Sequence, residues 1–307
     1  MFRVIHEIDD YIAVYHDDKH LFTYVYNSKA PAMEAPRPYL HPIKTLAGAV
    51  VTGFRPRDHR WHHGLSLAFS HINGHNFWGG PTYVDGQDYV LLDNIGRQVM
   101  DTKNHRQPSV TAEFDELSIR TRLKWRTNTG IQALYENREI GLREINQDEG
   151  WYRIGIVSEI HNDSEEQIEI GSPTTQGRPK AGYGGLTWRG ARDMSGGKIL
   201  MSDGREAIGN ESTVMGERSP WIAYTSAHDG TDQSSTVIFI DHSINPSYPT
   251  QWYVRAKEFA AISASFMFDQ ASFMEAHEIL WLYYDVIIAN GDWSGARIQE
   301  LVDRLPK

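Results

Sequence analysis

Apolar and polar residues alternate with a period of two along most of the chain, the pattern of strands with one buried face. Residues 11–16 and 20–26 flank Asp17-Asp18-Lys19, which predicts a hairpin. The same alternation predicts strands over 49–52, 65–69, 117–125, 131–145, 152–161, 167–170, 221–225, 237–241, 262–268 and 279–288. Strands at this regular spacing indicate an all-β sandwich or barrel. One helix breaks the pattern. Ile298, Leu301, Val302 and Leu305 recur at helical spacing, with Ser294 as the expected N-cap. This helix is expected to cap the sheets.

Two irregular stretches interrupt the strands. Residues 30–40 carry Pro31, Pro36 and Pro38, and residues 171–190 carry Gly177, Gly182, Gly184, Gly185 and Gly190. Loops held by sheets tend to carry function. No linker, repeat or composition break divides the chain, so residues 1–307 read as a single β-sandwich domain, each half expected to supply one sheet.

Composition narrows the function classes. The formal net charge is −10 and no Lys/Arg run occurs, which argues against a nucleic-acid binder. No cysteine is present, so disulfides and thiolate chemistry are excluded. The N-terminus has no apolar signal core, and no apolar stretch is long enough to span a bilayer. A cytoplasmic protein without membrane partners is expected. Self-association into a homo-oligomer stays open.

Histidine is the informative residue. Six of the 14 His fall within residues 41–75, and three of them share the phrase Asp58-His59-Arg60-Trp61-His62-His63-Gly64. Imidazole titrates near neutral pH and also ligates metals, so clustering suggests proton transfer or metal binding. In an extended chain His59 and His63 would share one face and His62 the other; in a turn they would converge. His59, His62 or His63 with Asp58 would supply metal donors, yet the spacing matches no strong zinc signature.

Polar and flat side chains follow. Asn76 and Trp78, in Asn73-Gly74-His75-Asn76-Phe77-Trp78-Gly79-Gly80, suit a polyol, which needs bidentate hydrogen bonds and an aromatic platform. Arg178 and Arg189 in the glycine-rich stretch would clamp a carboxylate or polarise a carbonyl, and Trp188 beside Arg189 offers another ring. Carboxylate candidates are Glu136 and Glu139, Glu275 and Glu278, and Asp241 beside His242. A glycosidase would need two carboxylates close together, which a sequence cannot pair. There is no nucleophile elbow, P-loop or Rossmann fingerprint, and no motif names a cofactor.

These phrases, with Pro36-Arg37-Pro38-Tyr39-Leu40-His41-Pro42, Gly171-Ser172-Pro173-Thr174-Thr175, Gly182-Tyr183-Gly184-Gly185-Leu186 and Met215-Gly216-Glu217-Arg218, resemble the PmoA-like family over nearly the whole chain. The family name is borrowed from a membrane methane monooxygenase subunit. With no spanning segment here, methane oxidation is not expected. The resemblance implies a bacterial, sugar-catabolic setting, near oxidoreductases of the Gfo/Idh/MocA type. It also implies a large antiparallel β-sandwich similar to the galactose mutarotase-like supersandwich, with the C-terminal helix appended. Enzymes of that kind open and reclose a sugar ring with a His and a carboxylate, and Glu278 precedes a closing strand at 280–288 in a similar way.

The leading expectation is a carbohydrate-active enzyme of epimerase, lyase or hydrolase type. His59, His62, His63 and Glu278 would do the acid/base work, and His41, Asn76, Trp78, Arg178, Trp188 and Arg189 would bind substrate. One alternative is a non-catalytic carbohydrate-binding protein. Another is a metal-dependent oxygenase or hydrolase built on the His cluster.

Overall fold

The computed structural model describes residues 1–103, 107–113 and 116–306. Two large antiparallel sheets pack face to face, as the alternation predicts. The ten-stranded sheet is built on the long strands Glu116–Arg126, Gln132–Asn146, Trp151–His161 and Ile279–Asn290. The eight-stranded sheet runs from the N-terminal strands through Tyr39–Ile43, Leu65–Ala68, Gly185–Arg189 and Ala261–Ala264 to Trp252–Arg255 at its edge. Each sheet draws strands from both halves of the sequence, so the halves do not each supply one sheet. One apolar cluster joins the inner faces, with Leu65, Leu67 and Trp188 from one sheet and Ile119, Leu142 and Val286 from the other.

The predicted hairpin forms from Tyr11–His16 and Lys19–Val25. The helix runs Gly295–Arg304, with the Ser294 side chain accepting from Arg297 N. Ile298 and Leu301 bury against Trp151, Trp221 and Ile238 on the outer face of the ten-stranded sheet, so the helix covers one sheet as a lid on its apolar end. Among the described residues no helix is long and apolar enough to cross a membrane.

Two strand expectations fail for local reasons. Residues 49–52 form no strand, because Thr52 turns inward and its Oγ1 accepts from Ile43 N at 3.0 Å. The strand expected over 262–268 stops at Ala264, where the Ser265 hydroxyl donates to Gly184 O at 3.0 Å and the chain turns. Conversely, Tyr39–Ile43 lies partly in the proline-rich stretch and Gly185–Arg189 in the glycine-rich one, where no strand was expected.

The inner face holds a charged pair that the alternation does not forecast. Glu136 and Arg138 both point into the core and form an ion pair at 2.7 Å. Glu136 also accepts from Trp125 Nε1 at 2.8 Å, and Arg138 donates to Gln98 Oε1 at 3.1 Å. Glu136 is therefore structural. Replacing it with Leu leaves a buried guanidinium unpaired, and a loss of about 3–5 kcal/mol in folding stability is expected, readable in a urea titration.

Candidate functional site

The three strands at one end of the eight-stranded sheet turn polar residues outward. Leu186, Trp188, Ile262 and Trp252 face the core, so their neighbours Thr187, Ser263 and Tyr253 face away from it. Register places Thr187 beside Ser263, and Ser263 beside Tyr253. The Thr187 and Ser263 hydroxyls meet at 2.8 Å. They floor a cavity of about 350 Å³, at the small end of the range for ligand pockets. Its walls are loops, and they carry His59, Trp61, His62, Trp78 and Phe259.

One buried cation sets the position of those loops. Arg37 is 2% exposed and carries no carboxylate hydrogen bond. Its Nε donates to Ser66 Oγ at 3.1 Å, Nη1 to the carbonyls of Glu34, Ala35 and Trp78, and Nη2 to Trp61 O at 2.7 Å. One guanidinium thus ties the Trp61 loop and the Trp78 loop to the sheet. Glycine lets the loops close on each other. Gly80 has φ +68°, and a Cβ there would lie 2.6 Å from the Trp61 indole.

The histidine phrase turns instead of extending. His59 N donates to Pro56 O and His62 N donates to His59 O, which brings His59 and His62 to the same side. Their rings stack at 4.8 Å, and both line the cavity. His63 goes the other way. It is fully buried, 3.2 Å from Glu34 Oε2, and packs on Tyr39 and Phe54. Arg55 grips the same Glu34 with two hydrogen bonds, at 2.7 and 2.8 Å. The three imidazoles do not converge, and among the described residues no group of three His, Asp or Glu side chains is disposed to hold a metal ion.

The two cavity histidines have opposite chemistry. Arg189 Nη1 lies 3.0 Å from His62 Nδ1. A guanidinium only donates, so Nδ1 must accept, and a neutral His62 carries its hydrogen on Nε2. Burial, then the Arg189 charge, holds the His62 pKa well below the usual imidazole range. His62 is therefore a neutral hydrogen-bond donor. His59 instead places Nδ1 2.6 Å from Asp58 Oδ2. Burial pushes Asp58 upward, but its contacts with His59 and Arg189 outweigh this and keep it below the usual carboxylate range. An anionic Asp58 accepts the hydrogen bond from Nδ1–H, so that the neutral form of His59 presents Nε2 as an acceptor. Arg189 also reaches Asp58 at 3.6 Å and lies over the Phe259 ring at 3.9 Å, so it supports both histidines from behind.

The other expected site residues divide. Trp78 and Arg178 line the cavity, and Trp78 touches both the His62 ring at 5.5 Å and the Tyr183 ring at 4.7 Å. Asn76 is buried behind the wall. Its Oδ1 accepts from Trp78 N and Gly79 N, and its Nδ2 donates to Gly80 O and Thr82 Oγ1, so it shapes the loop. Trp188 is in the core, donating to Val51 O at 2.9 Å. His41 sits outside the cavity, stacked on Phe54 and 2.9 Å from Thr52 Oγ1. Glu278 is exposed in the turn before the last strand, where its Oε2 accepts from Glu275 N, and it does not line the cavity. The residues that sequence reasoning passed over are Tyr89, Tyr183, Tyr253, Arg255 and Phe259. Thr187 was passed over too, because the glycines around Leu186-Thr187-Trp188-Arg189 mark the stretch as irregular. Arg255 is held by Glu258 and by Glu211, 3.2 Å from its Nε, and the same Glu211 accepts from the backbone N–H groups of Ala256 and Lys257.

Residues 11–303 match the model of a family of unknown function, DUF6807. The chain belongs to that family. No curated protein matches the sequence. Among solved structures, the chain is similar to the galactosidase domain of the α-galactosidase–sucrose kinase AgaSK, with TM-score 0.43 and 11% identity over 94% of this chain and 42% of that one. It is also similar to galactose 1-epimerase from Lactobacillus acidophilus NCFM, with TM-score 0.42 and 7% identity over 95% of this chain and 99% of that one. A TPR-domain containing protein from Parabacteroides distasonis scores 0.32 at 8% identity, over 96% and 54% of the two chains. The chain spans less than half the length of the first of these. Likeness at these scores carries no argument about residues or chemistry.

Two outcomes are expected. Burial lowers the His41 pKa to about 4 and lowers those of His62 and His63 as well. The unfolded chain protonates these groups near their ordinary value of about 6.5. Below that value the unfolded state binds more protons, so stability falls as pH drops from about 6.5 towards 4. Urea midpoints at about pH 7.5 and about pH 5 check this, with the lower midpoint at the lower pH. Gly80→Ala forces a side chain into a left-handed conformation against Trp61. A loss of about 1–3 kcal/mol is expected from the backbone alone, accompanied by a change in tryptophan emission as the wall shifts.

Proposed function

We propose that this cavity belongs to a carbohydrate-active enzyme that moves a proton next to a carbonyl, giving epimerisation or elimination on a sugar derivative. The observation that carries the reading is the stacked pair, with His59 oriented by Asp58 and His62 by Arg189. His59 Nε2 takes the proton from the carbon beside the carbonyl. The electron pair moves onto the carbonyl oxygen, which accepts a hydrogen bond from His62 Nε2–H. If the planar enolate turns over in the cavity before the His59 imidazolium returns the proton, the carbon is epimerised. Alternatively, the enolate collapses, the C–O bond to the substituent on the next carbon breaks, and the His59 imidazolium gives its proton to the departing oxygen, which completes an elimination. Aromatic walls and a hydroxyl floor suit the mixed apolar and polar surface of a sugar.

Hydrolysis by paired carboxylates is less well supported. Glu258 is the carboxylate among the lining residues, and it is bound to Arg255. A metal-dependent reading is weakened by the separation of His63 from His59 and His62. The PmoA-like resemblance, with its cytoplasmic and sugar-catabolic setting, is part of the same proposal and agrees with a small-molecule carbohydrate ligand.

The test uses aldoses, ketoses and their acid derivatives in D₂O, followed by proton NMR for exchange at carbon or for new product signals. His59→Ala should lower the rate by about 10²–10⁴-fold, and His62→Ala should lower it as well, with far-UV circular dichroism unchanged. Full activity in both variants contradicts the assignment. Saturable binding without exchange or product would favour the non-catalytic alternative.

A further inference from the structure

We infer that the ligand is a sugar acid, and that Arg178 with the hydroxyls of Tyr89 and Tyr183 receives its carboxylate. The inference rests on the carbohydrate reading above and adds the substrate class.

The arginines around the cavity differ in one respect. Arg189 is engaged by His62 and Asp58, and Arg255 by Glu211 and Glu258. Arg178 lines the cavity and forms no ion pair with a carboxylate among the described residues. It is nevertheless fixed. Its backbone N–H donates to Pro173 O at 2.8 Å, its Nη1 donates to the Tyr89 hydroxyl at 2.5 Å, and its Cζ lies 4.7 Å from the Tyr89 ring centre. Among the described residues the remaining N–H groups of the planar fork have no hydrogen-bond partner. Such a fork matches the two oxygens of a carboxylate.

The neighbouring hydroxyls extend this donor set. Tyr89 and Tyr183 lie 3.0 Å apart, oxygen to oxygen. Tyr89 already accepts from Arg178. If it donates to Tyr183, the Tyr183 hydrogen is left for a ligand; if it accepts from Tyr183, its own hydrogen is left. Either arrangement presents one O–H beside the guanidinium. This corner offers hydrogen-bond donors and a positive charge, which suits an anion better than a neutral hydroxyl.

Position adds a constraint on the ligand. The Trp78 ring contacts both the Tyr183 ring and the His62 ring. A sugar ring spanning Trp78 would place its carboxylate at the Tyr183 end and a different carbon at the stacked imidazoles. Held in this way, the carboxylate serves as a handle and is not itself the reacting group.

The experiment is calorimetric titration of the full chain with matched pairs: D-glucuronate against D-glucose, D-galacturonate against D-galactose, and D-mannuronate against D-mannose. At least one acid should bind about tenfold or more tightly than its neutral parent. The preference should collapse in Arg178→Gln and be partly kept in Arg178→Lys, both with unchanged circular dichroism. Equal affinity for acid and parent, or a preference that survives in Arg178→Gln, overturns the carboxylate subsite and leaves the carbohydrate reading standing. Binding of none of the six sugars defeats the carbohydrate reading, and the subsite with it.

Discussion

The site depends on a guanidinium that never meets the cavity. Arg37 is buried without a carboxylate hydrogen-bond partner, and its donors are matched by one hydroxyl and four backbone carbonyls. Removing a cation from water is costly unless each donor is satisfied. Here satisfaction requires the carbonyls of Trp61 and Trp78 to stand at fixed places over Ser66. The loops before and after the strand Leu65–Ala68 are thereby set against one sheet. The glycines at 79 and 80 then allow the Trp61 side chain to lie against the Trp78 loop.

The same logic governs the imidazoles. Chemically identical rings in contact would ordinarily share one behaviour. Opposite neighbours separate them here: a cation at Nδ1 of His62 and an anion at Nδ1 of His59. One ring is held as a donor and the other as an acceptor. Because Arg189 lies on a core strand and touches Asp58 as well, both assignments trace back to the rigid sheet.

The antiparallel sandwich and its closing helix were legible in the sequence because period-two and helical spacing record which face is buried. The floor of the cavity was half-legible. Thr187 alternates visibly with Leu186 and Trp188, but the surrounding glycines mark the stretch as irregular. The His phrase drew attention correctly as a cluster, while the separation of His63 from His62 depends on a turn and on Glu34, which lies in a distant proline-rich segment. Tyr89, Tyr183 and Tyr253 were opaque, since tyrosine packs, stacks and hydrogen-bonds equally well and only the fold says which. Asn76 looked like a sugar ligand because its amide has the right groups, and the structure directs all of them to its own loop.

Glu211 has a consequence beyond the cavity. The strand Trp252–Arg255 ends the eight-stranded sheet, and a bare end would offer its backbone to other chains. Glu211 accepts from the N–H groups of Ala256 and Lys257 just past that strand, while Trp252 exchanges backbone hydrogen bonds with Gly216 and Glu217. The segment that steadies Arg255 thus also shields the sheet's margin. The position of Arg255 in the cavity wall and resistance to aggregation are coupled through one stretch of chain: removing that segment would free Arg255 and expose a strand ready to pair.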